Sequence, residues 1–437
     1  MRRFVRVIVA SLALAGSVVA ATPGTRAIGP LDPDWHQFRF DAAHTGNNRF
    51  EHTLDASNVA NLSVAWQAQL GRPVFASSPA VVDGVVYIAS QDGRLWAYPA
   101  DGCGSDFCDT PLWQSVSLAQ IIDSPTVAGG IVYIGSQTSF DSNDGLLSAF
   151  DANGCGAAVC APLWQGSAGK ESILESSPAV GGGFVFVGAF DGALYAFPAH
   201  GCGRALCQPA WIGRTGASIE STPTIGPGVV YVGSDDGKLY AFATQGCGHH
   251  TCAPVWTGDL GSAVFGSTPA LANGKVYIGS QHALSVFDAR GCGAPTCAPL
   301  WQAVDENQFF GGSPAIAYGR VYIGLETGLA AYDANGCGAP QCSPLWLLFG
   351  IGFQAAVESS PTVANGVVFA GRNTGELLAW SAEPCGDFVC DNLWSGLFTE
   401  QIVNSSPTVI GGKVYIGTAD AQFPEDISGR LYVFDLP

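Results

Sequence analysis

A serine-proline or threonine-proline step recurs eight times along this chain, and few folds accommodate a repeat of that kind. The prolines follow one another at intervals of 45 to 53 residues, and a tryptophan recurs in step with them. The prolines are Pro79, Pro125, Pro178, Pro223, Pro269, Pro314, Pro361 and Pro407, and the tryptophans are Trp66, Trp113, Trp164, Trp211, Trp256, Trp301, Trp346 and Trp394. Self-similarity at this period is typical of a propeller or a solenoid.

Each repeat has the pattern of four short strands. In the unit from 77 to 114, two-residue turns at Asp83-Gly84 and Asp92-Gly93 separate β-branched and aromatic runs, and the last run contains Trp113. Four antiparallel strands without helical periodicity between them predict one blade of a propeller.

The two ends of the chain complement each other. The last repeat, 405–435, has three strands and stops before a tryptophan strand, whereas the tryptophan strand near 62–67 has no three strands before it. Joined, they make a full blade, which closes the ring and hides both sheet edges. We therefore predict an all-β, eight-bladed β-propeller of four-stranded antiparallel blades, closed by pairing of N-terminal and C-terminal strands. Residues 62–437 would form this single domain, and 22–61 an N-terminal arm.

The charge of the chain limits its partners. Charged residues make up only 12% of the sequence, which argues against long charged helices and against a charged disordered protein. The formal net charge is −18, so binding to a nucleic-acid backbone or to an anionic membrane is not expected.

The first 21 residues have the three parts of a secretory signal peptide. Arg2, Arg3 and Arg6 precede an apolar stretch from Val7 to Ala20, and small residues follow. The stretch is too short to span a membrane comfortably, and no later segment reaches that length. We predict a secreted or extracytoplasmic protein, in the periplasm or cell envelope, with no integral membrane segment.

The fourteen cysteines form seven pairs, each with four residues between its members. They are Cys103/Cys108, Cys155/Cys160, Cys202/Cys207, Cys247/Cys252, Cys292/Cys297, Cys337/Cys342 and Cys385/Cys390. In an exported chain this pattern predicts seven local disulfides. Zinc is the alternative, and it would require two pairs, or a pair and histidines, to converge. Each disulfide would brace a short hairpin turn and contribute roughly 2 kcal/mol.

The repeat resembles that of a known family. The unit S-x-P-x-V…G-x-V-Y-I-G-S…D-G-x-L-x-A-F…W is similar to the repeat of quinoprotein-type (PQQ-like) eight-bladed propellers, and Trp35 to Gly46 resembles the segment that often opens such chains. That family includes quinone-dependent alcohol dehydrogenases and non-catalytic scaffolds such as the lipoprotein subunit of the outer-membrane protein assembly machine. The resemblance implies that each of the eight tryptophans docks against the neighbouring blade.

The features of a dehydrogenase are absent from the sequence. It contains no Cys-Cys dipeptide and no C-x-x-C-H haem attachment motif. Neither G-x-S-x-G nor H-E-x-x-H occurs, and the seven histidines are scattered without ligand spacing. No catalytic residue and no cofactor are therefore predicted, although PQQ or Ca²⁺ stays open as an alternative.

One set of polar residues stands just before the Ser/Thr-Pro steps. The residues three positions before the prolines are Ala76, Ile122, Glu175, Glu220, Gly266, Gly311, Glu358 and Asn404. The first strand of a blade lines the axis of a propeller, so these positions should meet at one mouth of the axial channel. Converging carboxylates bind cations or raise one another's pKa. The predicted ligand-binding residues are Asp123, Glu175, Glu220, Glu358 and Asn404, unless each merely caps a strand end and faces water.

Two blades carry insertions on the face of this mouth, which is also the face whose loops are richest in acidic residues. In 138–145, Asp141, Asn143 and Asp144 loosely resemble a calcium loop without its full register, and an Asx-turn is the alternative. Together with 419–427, this insertion would form one wall of a recognition surface to which Phe140 and Phe423 contribute.

The sequence thus predicts a monomeric binding or scaffold module for a protein or polymer ligand on its acidic face. The alternative is a quinoprotein oxidoreductase, or a hydrolytic or lyase-type enzyme, that uses the channel mouth.

Overall fold

Eight antiparallel sheets form a closed ring, which confirms the predicted eight-bladed β-propeller. The structure is a computed structural model that describes residues 34–139, 142–169, 172–173, 175–326, 328–348, 357, 359–398, 400–402, 404–419 and 428–437. The predicted signal peptide, 1–21, lies outside these residues. The innermost strand of each blade contacts the innermost strands of both neighbouring blades, and this chain of contacts returns to its starting point.

The strands of the first four blades follow the predicted order from the axis outwards. Blade 1 contains Ala80–Val82, Val85–Ser90, Arg94–Pro99 and Trp113–Ser115. Blade 2 contains Thr126–Ala128, Ile131–Ser139, Ser142–Asp151 and Trp164–Ser167. Blade 3 contains Ala179–Gly181, Phe184–Gly188, Ala193–Pro198 and Trp211–Arg214. Blade 4 contains Thr224–Gly226, Val229–Ser234, Lys238–Ala243 and Trp256–Asp259.

The other four blades repeat the pattern. Blade 5 contains Ala270–Ala272, Lys275–Ser280, Ala283–Asp288 and Trp301–Val304. Blade 6 contains Ala315–Ala317, Arg320–Leu325, Gly328–Asp333 and Trp346–Leu348. Blade 7 contains Thr362–Ala364, Val367–Arg372, Glu376–Ser381 and Trp394–Leu397. Blade 8 contains Thr408–Ile410, Lys413–Ala419, Gly429–Asp435 and, from the other end of the chain, Ser63–Leu70.

The eighth blade joins the two ends of the chain. Ser63–Leu70 pairs antiparallel with Gly429–Asp435, so that Ser63 lies opposite Asp435 and Leu70 opposite Gly429. A bulge between Val64 and Trp66 keeps Trp66 buried at 3% exposure. The predicted closure of the ring is therefore present.

The Ser/Thr-Pro steps have a structural explanation in a ring of hydrogen bonds around the axis. The residue before each proline donates its backbone N–H to the side-chain hydroxyl of the equivalent residue in the next blade, over 2.8 to 3.1 Å. The ring runs through Ser78, Ser124, Ser177, Thr222, Thr268, Ser313, Ser360 and Ser406 and returns to Ser78. Because these groups are buried, the ring satisfies polar atoms that would otherwise be left unpaired.

The N-terminal arm lies inside the channel. It begins with an antiparallel bridge between Trp35 and Val81 of blade 1, and Asn47–Asn48 later pairs in parallel with the first strand of blade 7. Between these points the middle residues of the innermost strands donate their N–H groups to arm carbonyls, for example Ile225 to Ala42 and Leu271 to Ala43. Further on, Glu51 accepts a hydrogen bond of 3.0 Å from the backbone N–H of Gly412 in blade 8, and the 3₁₀ turn Val59–Asn61 then precedes the outermost strand of that blade. A segment predicted only as an appendage thus fills the axis.

Arm side chains complete a second set of hydrogen bonds. In blades 2, 4, 7 and 8 the threonine after the proline donates its hydroxyl to the prolyl carbonyl of the next blade. Alanine replaces this threonine in blades 1, 3, 5 and 6, and the arm contacts the corresponding carbonyl in the last three of these cases. There the carbonyls of Pro314 and Pro361 accept hydrogen bonds from Arg39 over 2.6 and 2.7 Å, and His44 Nε2 lies 3.1 Å from Pro223 O. Arm side chains therefore lie against three of the four prolyl carbonyls for which the preceding blade has alanine in place of threonine.

All seven predicted disulfides are present, and no cysteine of the chain is left over. Each bond joins the two members of one C-x4-C pair, so the alternative of a zinc site built from several pairs is not realised. The bonds are Cys103–Cys108, Cys155–Cys160, Cys202–Cys207, Cys247–Cys252, Cys292–Cys297, Cys337–Cys342 and Cys385–Cys390.

The disulfide loops also connect neighbouring blades. Five of them pair in parallel with the outermost strand of the preceding blade, through Val159–Cys160, Leu206–Cys207, Thr251–Cys252, Thr296–Cys297 and Val389–Cys390. In addition to the predicted bracing of a hairpin turn, these five disulfide loops therefore connect their blade to the preceding one.

Cys108 and Cys342 differ from the other second cysteines in how they contact the preceding blade. Neither belongs to a strand, because their loops make only the single bridges Gln67 to Phe107 and Gln302 to Gln341. The backbone N–H of Cys108 nevertheless donates to Gln67 O, and that of Cys342 to Gln302 O, each over 2.8 Å. Cys108 is fully buried. Both disulfides therefore hold a loop against the preceding blade without forming a strand there.

The repeated tryptophans lie at these same junctions. Six of them, from Trp66 to Trp301, pack against the glycine that precedes the first cysteine of the next blade. At Gly154, which has φ +77°, a Cβ would lie 2.7 Å from Cδ1 of Trp113, so only glycine admits the indole. Trp346 instead packs under the guanidinium of Arg320, 5.1 Å from the ring centre, and Trp394 donates to Leu62 O over 3.2 Å.

Candidate functional site

A cavity of about 380 Å³ lies at one mouth of the axial channel. Six of the eight residues that stand three positions before a proline line it: Ala76, Glu175, Glu220, Gly266, Gly311 and Asn404. The structure therefore brings together three of the predicted ligand-binding residues, namely Glu175, Glu220 and Asn404. Glu358, at the equivalent position of blade 7, lies outside the described residues.

Asp123 is not among the residues that line the cavity. It is fully buried, and its Oδ2 accepts a hydrogen bond of 2.9 Å from the backbone N–H of Gly135. Burial raises the pKa of this carboxyl well above its usual range. Asp123 stands one residue nearer its proline than the mouth positions do, and this offset turns its side chain into the interface between blades.

Carboxylates dominate the side of the cavity formed by blades 3 and 4. Burial raises the pKa of Glu175, and burial together with the charges of Glu175 and Asp235 raises the pKa of Glu220 to about 7. Burial, with Glu175 and Asp236 nearby, also raises the pKa of Asp235 to about 6. These shifts have the sign expected of carboxylates that repel one another. A cation between them would relieve that repulsion.

Sequence reasoning missed Asp235. It follows the second strand of blade 4, on the loop that turns back at the same face as the mouth. The sequence feature that could have indicated it is the pair Asp235-Asp236, which has two acidic residues where blade 1 has Gln91-Asp92.

Glu175 has a left-handed backbone conformation, with φ +70°. Ala76, Gly266 and Asn404 share this conformation at the same position of their blades. Glycine and asparagine adopt it readily, whereas other residues are strained there. The backbone at Glu175 is therefore strained at the position where its carboxylate lines the mouth.

Aromatic side chains form the side contributed by blades 5 and 6. The rings of Phe265 and Phe309 are 6.4 Å apart between centroids and inclined at 31°, and Phe265 is 42% exposed. Phe38 of the arm also lines the cavity, together with Ser177 of the serine-threonine ring. These aromatic residues were not predicted, although Phe265 and Phe309 stand within two residues of mouth positions that are themselves glycines.

The predicted metal ligands Asp141, Asn143 and Asp144 lie largely outside the described part of the chain. Asp141 lies outside the described residues, only the backbone of Asn143 is described, and Asp144 is exposed. Within the described part of the chain, no three histidine, cysteine or acidic residues are arranged to hold a metal ion.

The described lining of the cavity does not fit the quinone cofactor that the resemblance suggests. PQQ is a planar quinone that carries three carboxylates, and such an anion requires cationic partners. The described residues that line the cavity include Glu175, Glu220 and Glu326 but neither lysine nor arginine. An acidic lining favours cations instead.

Among the residues that the structure describes, no helix has the length and apolar character needed to cross a bilayer.

Comparison with known proteins identifies relatives of the whole ring. A profile of the family described as outer membrane protein assembly factor BamB matches residues 51–196 and 208–436. No curated protein matches the chain significantly.

Several solved structures share the fold at low sequence identity. Quinohemoprotein alcohol dehydrogenase from Comamonas testosteroni is 15% identical, with a TM-score of 0.66, over 92% of this chain and 80% of that one. BamB from Moraxella catarrhalis is 17% identical, with a TM-score of 0.59, over 86% of this chain and 99% of that one. The computationally designed Ika8 protein is 14% identical, with a TM-score of 0.59, over 84% and 98% of the respective chains.

Proposed function

The chain belongs to the family described as outer membrane protein assembly factor BamB, and from this premise we propose that it is a monomeric, non-catalytic binding module of the extracytoplasmic space. Its ligand is a basic protein segment, or another cationic polymer, held at the acidic mouth of the propeller. Glu175, Glu220 and Asn404 contact it, and Glu358 belongs to the same ring of positions. The observation that carries the proposal is a cavity of about 380 Å³ in which burial and the charge of Glu175, on the adjacent blade, raise the pKa of Glu220 to about 7.

The rigidity of the ring supports a binding role. Seven disulfides, a closed ring of hydroxyl hydrogen bonds and an arm in the channel hold the mouth residues in place. A preorganised site loses little conformational entropy when it binds a ligand. The arm also closes the cavity from below, because Phe38 lines it.

A second candidate is acid–base catalysis on a polymer. It is favoured by the pKa of Glu220, because a carboxyl group with a pKa near 7 can donate and accept protons at neutral pH. Asp235, with a pKa of about 6, is the neighbouring group that would pair with it. Turnover by the wild-type protein, lost in Glu220→Gln with binding retained, would favour this candidate.

The binding proposal is tested with the mature protein and a lysine- and arginine-rich peptide in calorimetry at low salt. We expect the Glu175→Gln/Glu220→Gln variant to lose about tenfold in affinity, because two charges that face the ligand are removed. Glu306→Gln is the matched control, since Glu306 is exposed and is not among the described cavity residues. Equal affinity in all three proteins, or no binding of basic peptides, contradicts the proposal.

A further inference from the structure

The cavity has two unlike halves, and their chemistry narrows the ligand further than charge does. Blades 3 and 4 supply Glu175 and Glu220, whereas blades 5 and 6 supply the rings of Phe265 and Phe309. A ligand that fills both halves must carry a positive charge beside a flat apolar surface.

The aromatic pair is placed at the opening and is not part of the core. Phe265 is 42% exposed, in contrast to the fully buried phenylalanines between the sheets, such as Phe197 and Phe242. The ring of Phe309 lies over Gly311, where a Cβ would overlap with its Cε1. Only glycine fits at the mouth position of blade 6, because the ring of Phe309 occupies the space that a side chain at 311 would need. Exposed aromatic rings of this kind are a feature of binding surfaces.

We propose that the cavity binds an arginine side chain of a protein ligand, with the guanidinium plane against Phe265 and Phe309 and its N–H groups directed at Glu220 and Glu175. This assignment rests on the proposed function and specifies which side chain of the protein ligand binds in the cavity. The size of the cavity agrees with it, because about 380 Å³ lies at the lower end of the range for ligand pockets. Phe38 lines the cavity from the arm side, so an end group fits better than a polymer that threads the ring.

A guanidinium suits this surface better than an ammonium does. It is planar, stacks on aromatic faces and presents a fork of N–H donors that matches a carboxylate. An ammonium is a compact, strongly hydrated charge, and it would gain little from Phe265 and Phe309. The two halves together thus discriminate between two side chains of equal charge.

The test uses three blocked tripeptides that differ only in the central residue: arginine, lysine or citrulline. Citrulline keeps the shape of arginine without its charge. With the full-length mature protein we expect calorimetry to give affinities in the order arginine, lysine, citrulline, with about fivefold between the first two. Phe265→Ala should reduce arginine affinity to that of lysine and leave lysine affinity unchanged. Phe265→Leu keeps the apolar bulk and should show the same loss of preference.

The control is Phe388→Ala, because Phe388 is exposed at 56% in a disulfide loop on the opposite face. This variant should retain the preference for arginine. Equal binding of arginine and lysine by the wild type, or a preference that survives Phe265→Ala, overturns the inference but leaves the proposed function standing. If neither cationic tripeptide nor a longer basic peptide binds, the proposed function fails as well.

Discussion

The Oδ2 atom of Asp123 accepts a hydrogen bond of 2.9 Å from the backbone N–H of Gly135, in the position that a serine hydroxyl occupies in six other blades. The serines are Ser77, Ser176, Ser221, Ser267, Ser359 and Ser405. The second carboxylate oxygen of Asp123 is buried without a hydrogen-bond partner among the described residues. In blade 2 the carboxyl group of Asp123 therefore takes the place that a serine hydroxyl has in six other blades.

Replacing Asp123 with serine should stabilise the protein at high pH. The pKa of Asp123 in the folded state is raised, so folding favours its neutral form, and the associated stability is lost as the pH rises through that value. We expect Asp123→Ser to increase the free energy of unfolding at pH 8 by about 1 kcal/mol or more, and by less near pH 4. Denaturant unfolding at the two pH values measures this, with Ser176→Asp as the converse variant. A gain that is independent of pH would show that the carboxyl is ionised or solvated.

The strained backbone at Glu175 predicts a trade between stability and binding. Glu175 has a left-handed backbone conformation, which costs a non-glycine residue about 1–2 kcal/mol. Glycine avoids this cost, but it loses more conformational entropy on folding, which cancels about 0.5–1 kcal/mol of the gain. Glu175→Gly should therefore unfold at slightly higher denaturant concentration while it binds basic peptides more weakly. Asn404→Gly is the control, because asparagine already tolerates φ +56° and should gain little. A less stable Glu175→Gly protein would mean that the side chain contributes to the fold.

Cation binding should strengthen with pH. The pKa values of Glu220 and Asp235 are about 7 and about 6, so both groups are largely neutral near pH 5 and charged near pH 8. We expect the affinity for a basic peptide to rise about tenfold across this interval, because the ionised forms attract the cation. In Glu220→Gln most of that rise should disappear. A profile unchanged in this variant would assign the titration to groups other than Glu220, and the part given to Glu220 in cation binding would be wrong.

The sequence allowed much of this architecture to be predicted, because a repeat carries its register from blade to blade. Closure through Ser63–Leu70, the seven disulfides and the meeting of Glu175 with Glu220 all follow from positions within the repeat. Asp123 was assigned to the mouth although it differs by one position, and one residue along an extended chain reverses the direction of the side chain.

The aromatic half of the cavity and the course of the arm could not be predicted in this way. Phe265 has a counterpart in Phe75 of blade 1, which stands at the same distance before its proline but is not among the described cavity residues, and Phe38 lies in the arm outside the repeat. Periodicity alone therefore does not indicate which aromatic residues meet at the cavity. The arm contacts blades that are hundreds of residues away in sequence, as in the hydrogen bond from Arg39 to Pro361 O. Such contacts depend on the closed ring, which exists only after the blades have assembled.

Arg39 gives a test of how the arm holds the ring. Its guanidinium is buried, burial lowers its pKa to about 9, and it donates to the carbonyls of Pro314 and Pro361. Arg39→Ala should lower the free energy of unfolding by about 2–4 kcal/mol, because two buried carbonyls lose their donors.

The repeat itself provides the rescue. Threonine at 270 and 315, as in the blades where threonine follows the proline, would supply those carbonyls with hydroxyl donors. The Ala270→Thr/Ala315→Thr pair should therefore restore part of the stability of Arg39→Ala. It should destabilise the wild type, where Arg39 and the arm fill the space beside Ala315. Denaturant unfolding of the four proteins completes a double-mutant cycle. Additive effects would show that arginine and threonine do not serve the same carbonyls, and the role assigned to the arm would then be wrong.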